Sequence, residues 1–202
     1  MIALVDYGIG NLRSVEKALQ AVSADVHLTS DPSVIQAARQ VILPGVGAFG
    51  DGMAGLRQRG LISALQSVAS RGVPLLGICL GMQLLFEESD EMGRHQGLGL
   101  LTGRVRRFPQ AGWKVPQTGW NQLHIERPTP LLTGLQDGEY AYFNHSYYCE
   151  PADPADILAS TDYILKYASV IGRNNLYGVQ FHPEKSQSVG LKILRNFVEY
   201  CL

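Results

Sequence analysis

Residues 75–83 read Leu-Leu-Gly-Ile-Cys-Leu-Gly-Met-Gln, and this stretch decides the fold. An apolar run enters a single cysteine, Cys79, framed by Gly77 and Gly81, and helix-like spacing continues to residue 86. The pattern predicts a strand, a sharp turn and a helix, because glycine on both sides allows the close backbone approach that such a turn needs. The positive end of the helix dipole would favour the thiolate of Cys79. Taken alone, the same pattern is also typical of a small buried cysteine at a strand end.

A histidine and a glutamate later in the chain favour a nucleophile over a buried thiol. Residues 176–186 form a second apolar run that ends in His182-Pro183-Glu184. A thiol that attacks an amide carbonyl needs a base to take its proton, and the base needs an acceptor that holds its ring. Since residues two apart in an extended segment point to the same side, Glu184 can accept from Nδ1 of His182 while Nε2 faces the thiol. We therefore predict a catalytic triad of Cys79, His182 and Glu184.

Composition narrows the class of protein. The chain has 202 residues, a formal net charge of −1 and three cysteines, at positions 79, 149 and 201. The near-neutral charge gives no reason to expect a nucleic acid or a membrane as partner, and no apolar run approaches the roughly 20 residues of a membrane span. An odd number of cysteines makes no disulfide framework and is typical of a reducing compartment. We expect a cytoplasmic protein without a signal peptide, in which Cys149 and Cys201 are passive thiols.

Strand and helix patterns alternate through the first half of the chain. Four apolar runs are typical of buried strands: 2–6, 26–28, 41–43 and 73–78. Helical patterns or starts lie at 12–22, 30–32, 61–69 and 190–201. Such alternation predicts right-handed crossovers and a parallel sheet, with the site at the carboxyl ends of the strands. We expect one α/β domain over residues 1–202, with a flavodoxin-like core of mostly parallel twisted sheet flanked by helices and a smaller β element in the second half.

A glycine-rich loop, Pro44-Gly45-Val46-Gly47, also ends a predicted strand. A tetrahedral intermediate at the nucleophile carries an oxyanion that needs about two backbone N–H donors. The amide of Leu80, directly after the nucleophile, is one candidate. The Val46 amide is the other, because glycines on either side let that peptide rotate. The same loop is equally typical of a tight turn between a strand and a helix.

Residues 6–11, Asp-Tyr-Gly-Ile-Gly-Asn, follow the first strand like a dinucleotide-binding loop. That fingerprint fails, because Arg13 stands at the third glycine position and no acidic residue ends the second strand. Asn11 is instead predicted to cap the following helix.

Together these motifs resemble the class I (triad) glutamine amidotransferases. Residues 77–83 resemble the nucleophile motif of that family, and residues 181–184 resemble its His-x-Glu motif. Within the family, four segments are similar to the glutaminase subunits of imidazole glycerol phosphate synthases: 6–14, 44–53, 119–121 and 143–147. Asn144 departs from the pattern, where an apolar residue such as valine is expected, and leaves the His-Ser-Tyr run after it intact.

The resemblance implies an activity and a set of site residues. Cys79 would attack the side-chain amide of glutamine, His182 would protonate the departing ammonia, and water would release glutamate from the thioester. The family needs neither a cofactor nor a metal for this reaction. The residues implied to hold glutamine are Gly47, Gln83, Glu91, His145, Ser146 and Tyr147, the last three through backbone groups and Glu91 at the α-amino group.

The resemblance also implies a partner. A cyclase subunit with a (β/α)8-barrel fold would form a heterodimer with this chain and receive the ammonia through an internal channel. It would make imidazole glycerol phosphate and an aminoimidazole carboxamide ribonucleotide in histidine biosynthesis. Asn11, Trp120 and Lys185 are the implied partner-facing residues. Because a free glutaminase would waste glutamine, we expect the Val46 amide to turn toward the nucleophile only when the liganded cyclase is bound.

Three other classes of function stay open on the residues alone. An amidotransferase for a different ammonia acceptor would use the same triad, and a cysteine peptidase or chaperone-like protein could use the same turn. A regulatory subunit could keep the fold without the chemistry, although all three triad residues are present. A peptidase has no need of Gln83 or of the His-Pro-Glu pair.

Two further surfaces have plain interpretations. Arg104, Arg106 and Arg107 are expected to form the solvated face of a β-ribbon rather than a basic docking patch. The aromatic-rich segment 140–148 is expected to line the substrate pocket rather than to stack nucleic-acid bases.

Overall fold

The computed structural model describes residues 1–201. Its helices are α1 (Leu12–Ala21), α2 (Pro32–Ala37), α3 (Phe49–Gln58), α4 (Ile62–Ser70), α5 (Leu80–Leu84) and α6 (Gln187–Tyr200), with 3-10 turns at Pro130–Leu132, Pro154–Asp156 and Pro183–Lys185. Its strands are β1 (Ile2–Val5), β2 (Val26–Thr29), β3 (Gln40–Gly45), β4 (Leu75–Cys79), β5 (Phe86–Ser89), β6 (His95–Gln96), β7 (Leu101–Arg107), β8 (Gln117–Gln122), β9 (His124–Ile125), β10 (Tyr140–His145), β11 (Tyr147–Pro151), β12 (Ile157–Asp162), β13 (Lys166–Arg173) and β14 (Leu176–Val179). Within this part of the chain, no helix has the length and apolar character needed to cross a membrane.

The large sheet has a parallel half and a mixed half. The parallel half has the order β2-β1-β3-β4-β14, which is the flavodoxin-like order with β14 as its fifth strand. Beyond β14 the order continues β13-β11-β7-β5-β6, with antiparallel pairs except between β5 and β7. The strands β8 and β10 form a separate antiparallel pair. The expected α/β class, with a mostly parallel central sheet and a smaller β element, is confirmed.

Helices cover both faces of the parallel half, and each face has its own core. Alternate residues of β1 divide between them, with Leu4 packing on the side of α1 and α6 and Val5 on the side of α2, α3 and α4. Leu19 and Phe197 fill the first core, and Leu56 and other helix residues fill the second. Because the middle of this half-sheet is buried on both sides, its central strands are nearly continuous apolar runs without alternation. This explains why β1, β3 and β4 are plain in the sequence.

The helix α3 is absent from the sequence prediction. It contains three glycines, Gly50, Gly52 and Gly55, and each one costs about 1 kcal/mol of helix propensity relative to alanine. The packing shows why they are there, because a Cβ at Gly55 would lie 2.6 Å from the backbone oxygen of Tyr7. Gly55 lets α3 pack directly against the turn after β1, and a Cβ at Gly50 would likewise lie 2.7 Å from the ring of His95, so tertiary contact outweighs local propensity.

Helix boundaries elsewhere are partly as expected. Asp31 caps α2 by accepting from the Ser33 amide at 2.8 Å, and Pro32 is the first helical residue, as predicted. Asn11 stands at the cap position of α1, but its side chain accepts from the Ser14 hydroxyl at 2.9 Å instead of from a backbone amide. The prediction that a helix runs from Cys79 to residue 86 is wrong at its end, because α5 has five residues and β5 begins at Phe86.

Candidate active site

Cys79 is the last residue of β4 and lies in a strained turn. Its φ of 54° and ψ of −110° put a non-glycine residue in a region that L-residues rarely adopt. A Cβ at Gly77 would lie 2.6 Å from the backbone oxygen of Gly81, and a Cβ at Gly81 would overlap the carbonyl oxygen of Leu43. The two glycines therefore let α5 begin directly over the ends of β3 and β4. As expected, the turn presents the cysteine at the carboxyl edge of the sheet.

The short helix changes one electrostatic expectation. A helix of five residues has a small dipole, so α5 cannot be the main source of thiolate stabilisation at Cys79. The charged group that interacts with the sulfur is instead His182, whose pKa is raised in part by Cys79.

His182 and Glu184 lie on a turn that two contacts to the backbone of His182 hold in place. The His182 amide donates to the Tyr142 carbonyl at 2.9 Å, and the Ser186 hydroxyl donates to the His182 carbonyl at 2.7 Å. Nδ1 of His182 lies 3.0 Å from Oε1 of Glu184, and both side chains are buried. This leaves Nε2 for Cys79, which is the arrangement that the i, i+2 spacing predicted.

The ring of His182 is held in its charged form. Burial lowers its pKa, but the hydrogen bonds and charges of Cys79 and Glu184 outweigh burial and raise the pKa to about 10. A charged ring between a sulfur and a carboxylate can carry a proton to an atom bound at the sulfur. The second carboxylate oxygen of Glu184, Oε2, is buried without a partner in the described chain.

A cavity of about 270 Å³ opens over Cys79 and His182. All residues predicted for the oxyanion and for glutamine line it: Val46, Gly47, Leu80, Gln83, Glu91, His145, Ser146 and Tyr147. Asn144 lines it as well, and so do Pro116 and Lys185, which were not predicted to line the pocket. The segment 144–147 therefore lies along the cavity, as expected for part of the aromatic-rich run.

Gln83 can offer the cavity an acceptor. Its Nε2 donates to the Tyr147 carbonyl at 3.1 Å and to Oε1 of Gln180 at 3.2 Å. Oε1 of Gln83 is then the atom left for a ligand amide or ammonium. Gln180 itself places Nε2 3.8 Å from the Cys79 sulfur. Sequence reasoning missed Gln180, although it stands two residues before His182, the same spacing that identified Glu184.

Glu91 brings a carboxylate to the cavity. Its Oε2 accepts from the Phe49 amide at 2.7 Å, which ties it to the start of α3. Burial raises the pKa of Glu91, and the bond from Phe49 opposes that shift. A carboxylate in this place can pair with an ammonium group of a ligand.

The ring of His145 supports the wall of the cavity. Its Nδ1 lies 2.7 Å from the Tyr147 carbonyl, so this nitrogen carries the proton and donates. Burial lowers the pKa of His145 to about 4, which keeps the ring neutral. Nε2 lies 3.2 Å from the Tyr167 hydroxyl. The ring is thus engaged within the protein, consistent with a role for backbone groups at the cavity.

The loop at residues 44–47 lies beside Cys79. Gly45 pairs with Cys79 across β3 and β4, so Val46 and Leu80 follow the paired positions. The Tyr7 hydroxyl donates to the Pro44 carbonyl at 2.7 Å, and a Cβ at Gly45 would overlap that hydroxyl. Gly47 has a φ of +98° with open space around it. The loop is therefore fixed at its start and free of neighbours at Gly47.

A comparison with known protein families identifies the family of this chain. The family described as "Glutamine amidotransferase class-I" matches residues 3–201. This chain belongs to the class-I glutamine amidotransferases. The residues predicted as its nucleophile, base and acceptor, Cys79, His182 and Glu184, lie together at the edge where β3, β4 and β14 end.

Curated relatives match this amidotransferase over nearly its whole length. The protein named imidazole glycerol phosphate synthase subunit HisH of Moorella thermoacetica is 55% identical over 98% of this chain and 94% of its own. The protein of the same name from Desulfitobacterium hafniense strain Y51 is 51% identical over 98% and 93%. Among solved structures, PurLQS from Thermotoga maritima has a TM-score of 0.78 at 20% identity, covering 98% of this chain and 97% of that one. This last likeness shows the fold alone.

The partner-facing residues predicted for this amidotransferase lie in two places. Trp120 on β8 is 47% exposed and meets the Tyr142 ring edge-on at 6.0 Å. Nζ of Lys185 lies 5.6 Å from the centre of the same ring. Trp120 and Lys185 therefore gather around Tyr142 near the mouth of the cavity, whereas Asn11 is exposed at the start of α1.

The other thiols and the arginines behave as expected. Cys149 and Cys201 are buried and form no disulfide. Burial raises the pKa of Cys149 well above its usual value and that of Cys201 to about 11, so both stay protonated at neutral pH. Arg104 and Arg106 pair with Glu150 across β7 and β11 at 2.8 and 3.7 Å, all on a half-exposed surface. This face is a solvated ribbon with its own counter-charge.

Proposed function

We propose that this chain is the glutaminase subunit of an imidazole glycerol phosphate synthase, which hydrolyses glutamine to glutamate and ammonia. The observation that carries the proposal is the buried row of Cys79, His182 and Glu184 at the floor of a cavity of amino-acid size. Identity of about 50% to proteins named as the HisH subunit supports the choice of synthase. We further propose that residues 1–202 act as one glutamine amidotransferase domain.

The mechanism follows from the charges at the triad. The Cys79 thiolate attacks the carbonyl carbon of the glutamine side chain, and the C–N bond breaks as charged His182 gives its Nε2 proton to the leaving nitrogen. Ammonia departs and a thioester remains. His182 then takes a proton from water, whose oxygen attacks the thioester and releases glutamate and the thiolate. Glu184 holds the ring at Nδ1 through both steps.

The cavity walls supply the remaining roles in this proposal. The amides of Val46 and Leu80 stabilise the oxyanion, and losing one such donor costs on the order of 10²–10³ in rate. Gly47, Gln83 and backbone groups of 145–147 hold the substrate, and Glu91 pairs with its α-amino group. The support is that all of these residues line one cavity.

The partner in this proposal is a cyclase subunit, of (β/α)8-barrel fold by the family resemblance. It contacts Trp120 and Lys185 near the cavity mouth and Asn11 at the start of α1. Ammonia passes to it within the heterodimer. The Val46 peptide turns toward Cys79 when the cyclase and its nucleotide ligand are in place. Support comes from the HisH names and from the aromatic face beside the cavity mouth. A cytoplasmic location stays a prediction from cysteine usage.

The test is ammonia release from glutamine by the chain alone and with the cyclase subunit. We expect slight turnover by the chain alone and a steep rise with the cyclase and its ligand. Cys79→Ala should abolish turnover, whereas Cys149→Ala, which removes a buried thiol outside the cavity, should retain it. Full turnover without the cyclase would refute the gating, and turnover by Cys79→Ala would refute the nucleophile. Cleavage of peptides would favour a peptidase, and activation by a different acceptor subunit would favour another amidotransferase.

A further inference from the structure

We propose that Gln180 is a positioning residue for the nucleophile, donating a hydrogen bond from Nε2 to the Cys79 sulfur while its Oε1 holds Gln83. The proposal rests on the proposed function only in taking Cys79 as the nucleophile. One buried amide would then fix both the direction of the thiolate and the amide that faces the substrate.

The hydrogen-bond network assigns the orientation of this amide. The Tyr147 carbonyl can only accept, so the group that Gln83 turns toward it must be Nε2. The same Nε2 lies 3.2 Å from the Gln180 side chain, which must therefore present Oε1. Nε2 of Gln180 then faces the Cys79 sulfur at 3.8 Å. Reversing the Gln180 amide would set two donors against each other, so one orientation satisfies the set.

The backbone holds Gln180 in this place. The strands β14 and β4 are parallel neighbours, with Val179 opposite Ile78, so Gln180 follows directly opposite Cys79. The backbone N–H of Gln180 donates to the Ser169 carbonyl at 2.9 Å, and this bond links Gln180 to β13. Gln180 has no exposed surface. The side-chain amide of Gln180 is therefore fully buried and hydrogen-bonds to two side chains of the site, so its position is fixed by the fold.

The amide has a defined effect on the sulfur. An N–H donor stabilises a thiolate, which accepts strongly, more than a thiol, which accepts weakly. His182 is the proton carrier on one side of the sulfur, and Gln180 is a donor that cannot itself take the proton. Without Gln180, the thiolate would lose a fixed donor and Gln83 would lose one of the two acceptors that orient it.

The experiment measures alkylation of Cys79 by iodoacetamide as a function of pH, with the modified peptide quantified by mass spectrometry. In Gln180→Met, which keeps length and removes both polar atoms, we expect the pH midpoint to rise by about one unit, because the charged sulfur loses a hydrogen-bond donor. With the cyclase bound and liganded, kcat for glutamine should fall about tenfold or more and KM should rise severalfold. Gln180→Glu, nearly isosteric, should raise the midpoint as well by placing a carboxylate beside the sulfur, and serves if the methionine variant fails to fold.

Gln40→Met is the matched control. Gln40 is also a buried glutamine, but its amide donates to backbone carbonyls at the end of α6 and not to the site. It should lower stability and leave the alkylation midpoint unchanged. If both Gln180 variants fold and keep the wild-type midpoint, the proposal is wrong while the proposed function stands. If the midpoint shifts but wild type with cyclase releases no ammonia, the contact stands and the proposed function is wrong.

Discussion

Replacing Gly81 by alanine sets local helix propensity against tertiary packing, and the two predict opposite signs. Gly81 lies within α5, and alanine is better than glycine in a helix by about 1 kcal/mol. By propensity alone the variant would be more stable than wild type. The structure predicts the reverse, because the new methyl group has no room.

The size of the effect follows from the contact with β3. A Cβ at position 81 would overlap the Leu43 carbonyl oxygen and lie 2.7 Å from its carbonyl carbon. Carbon atoms in contact lie about 3.5–4.0 Å apart, so the backbone of β3 or α5 must move by about 1 Å. Overpacking of this kind costs about 1–3 kcal/mol, and a backbone atom is harder to move than a side chain. We expect a loss of about 3 kcal/mol in the free energy of unfolding.

The assay is urea denaturation followed by far-UV circular dichroism. With a urea dependence of about 2 kcal/mol per molar, the loss would lower the midpoint by about 1.5 M. Gly72→Ala is the control, because Gly72 has a φ of +78° and open space around it, so the variant bears only conformational strain of about 1 kcal/mol. A Gly81→Ala midpoint at or above that of wild type would refute the reasoning, as would equal losses in the two variants. A folded Gly81→Ala should also lose most glutaminase activity with the cyclase, because β3 leads into the loop that we propose stabilises the oxyanion.

Two more predictions concern buried polar groups. His182 has its pKa raised to about 10, so the stability that it contributes is complete below its unfolded value of about 6.5 and is lost as pH rises through about 10. Glu184→Gln should lower the pKa of His182 and move this loss of stability to lower pH. The measurements are an NMR titration of labelled histidine and denaturation at pH 7 to 10. An unchanged titration would contradict the role of the carboxylate. Gln40→Met should cost about 2 kcal/mol in urea denaturation, because carbonyls of Phe197 and Cys201 lose their buried donor, and a neutral effect would show that they find other partners.

The parallel half of the fold was predictable because its signals are local and continuous. The strands β1, β3 and β4 are buried on both faces, so they are unbroken apolar runs between turn residues. The helix α3 could not be predicted in that way. A side chain in place of its glycines would come too close to Tyr7 and to other residues far away in the chain. A local sequence pattern does not show such contacts. The end of α5 was wrong for a related reason, since apolar residues 84–86 suit a buried helix and a buried strand equally well.

The candidate site shows the same difference between local features, which the sequence predicts, and contacts between distant segments, which it does not. The triad follows from residue chemistry and from the spacing of His182 and Glu184, because both lie on one short segment. Gln180 becomes visible only when β14 is seen to pair with β4, which brings it opposite the nucleophile. Glu91 was among the predicted residues, but its bond from the Phe49 amide was not, since that bond depends on how α3 packs. Contacts between segments distant in sequence are set by the fold, so local patterns in a single sequence do not predict them.

The two buried histidines of the cavity show how environment divides the chemistry between identical side chains. His145 faces a backbone carbonyl and a phenol, neither of which carries charge, so burial prevails and its pKa falls to about 4. His182 lies between a sulfur that can become a thiolate and a buried carboxylate, and those charges outweigh burial and raise its pKa to about 10. The charge on His182 in turn helps to keep His145 neutral. At neutral pH only one of the two rings carries a proton that it can give to a leaving group, and it is the ring that contacts the sulfur. The other ring is fixed as a neutral donor that holds the Tyr147 carbonyl, and Gln83 holds the same carbonyl from the other side.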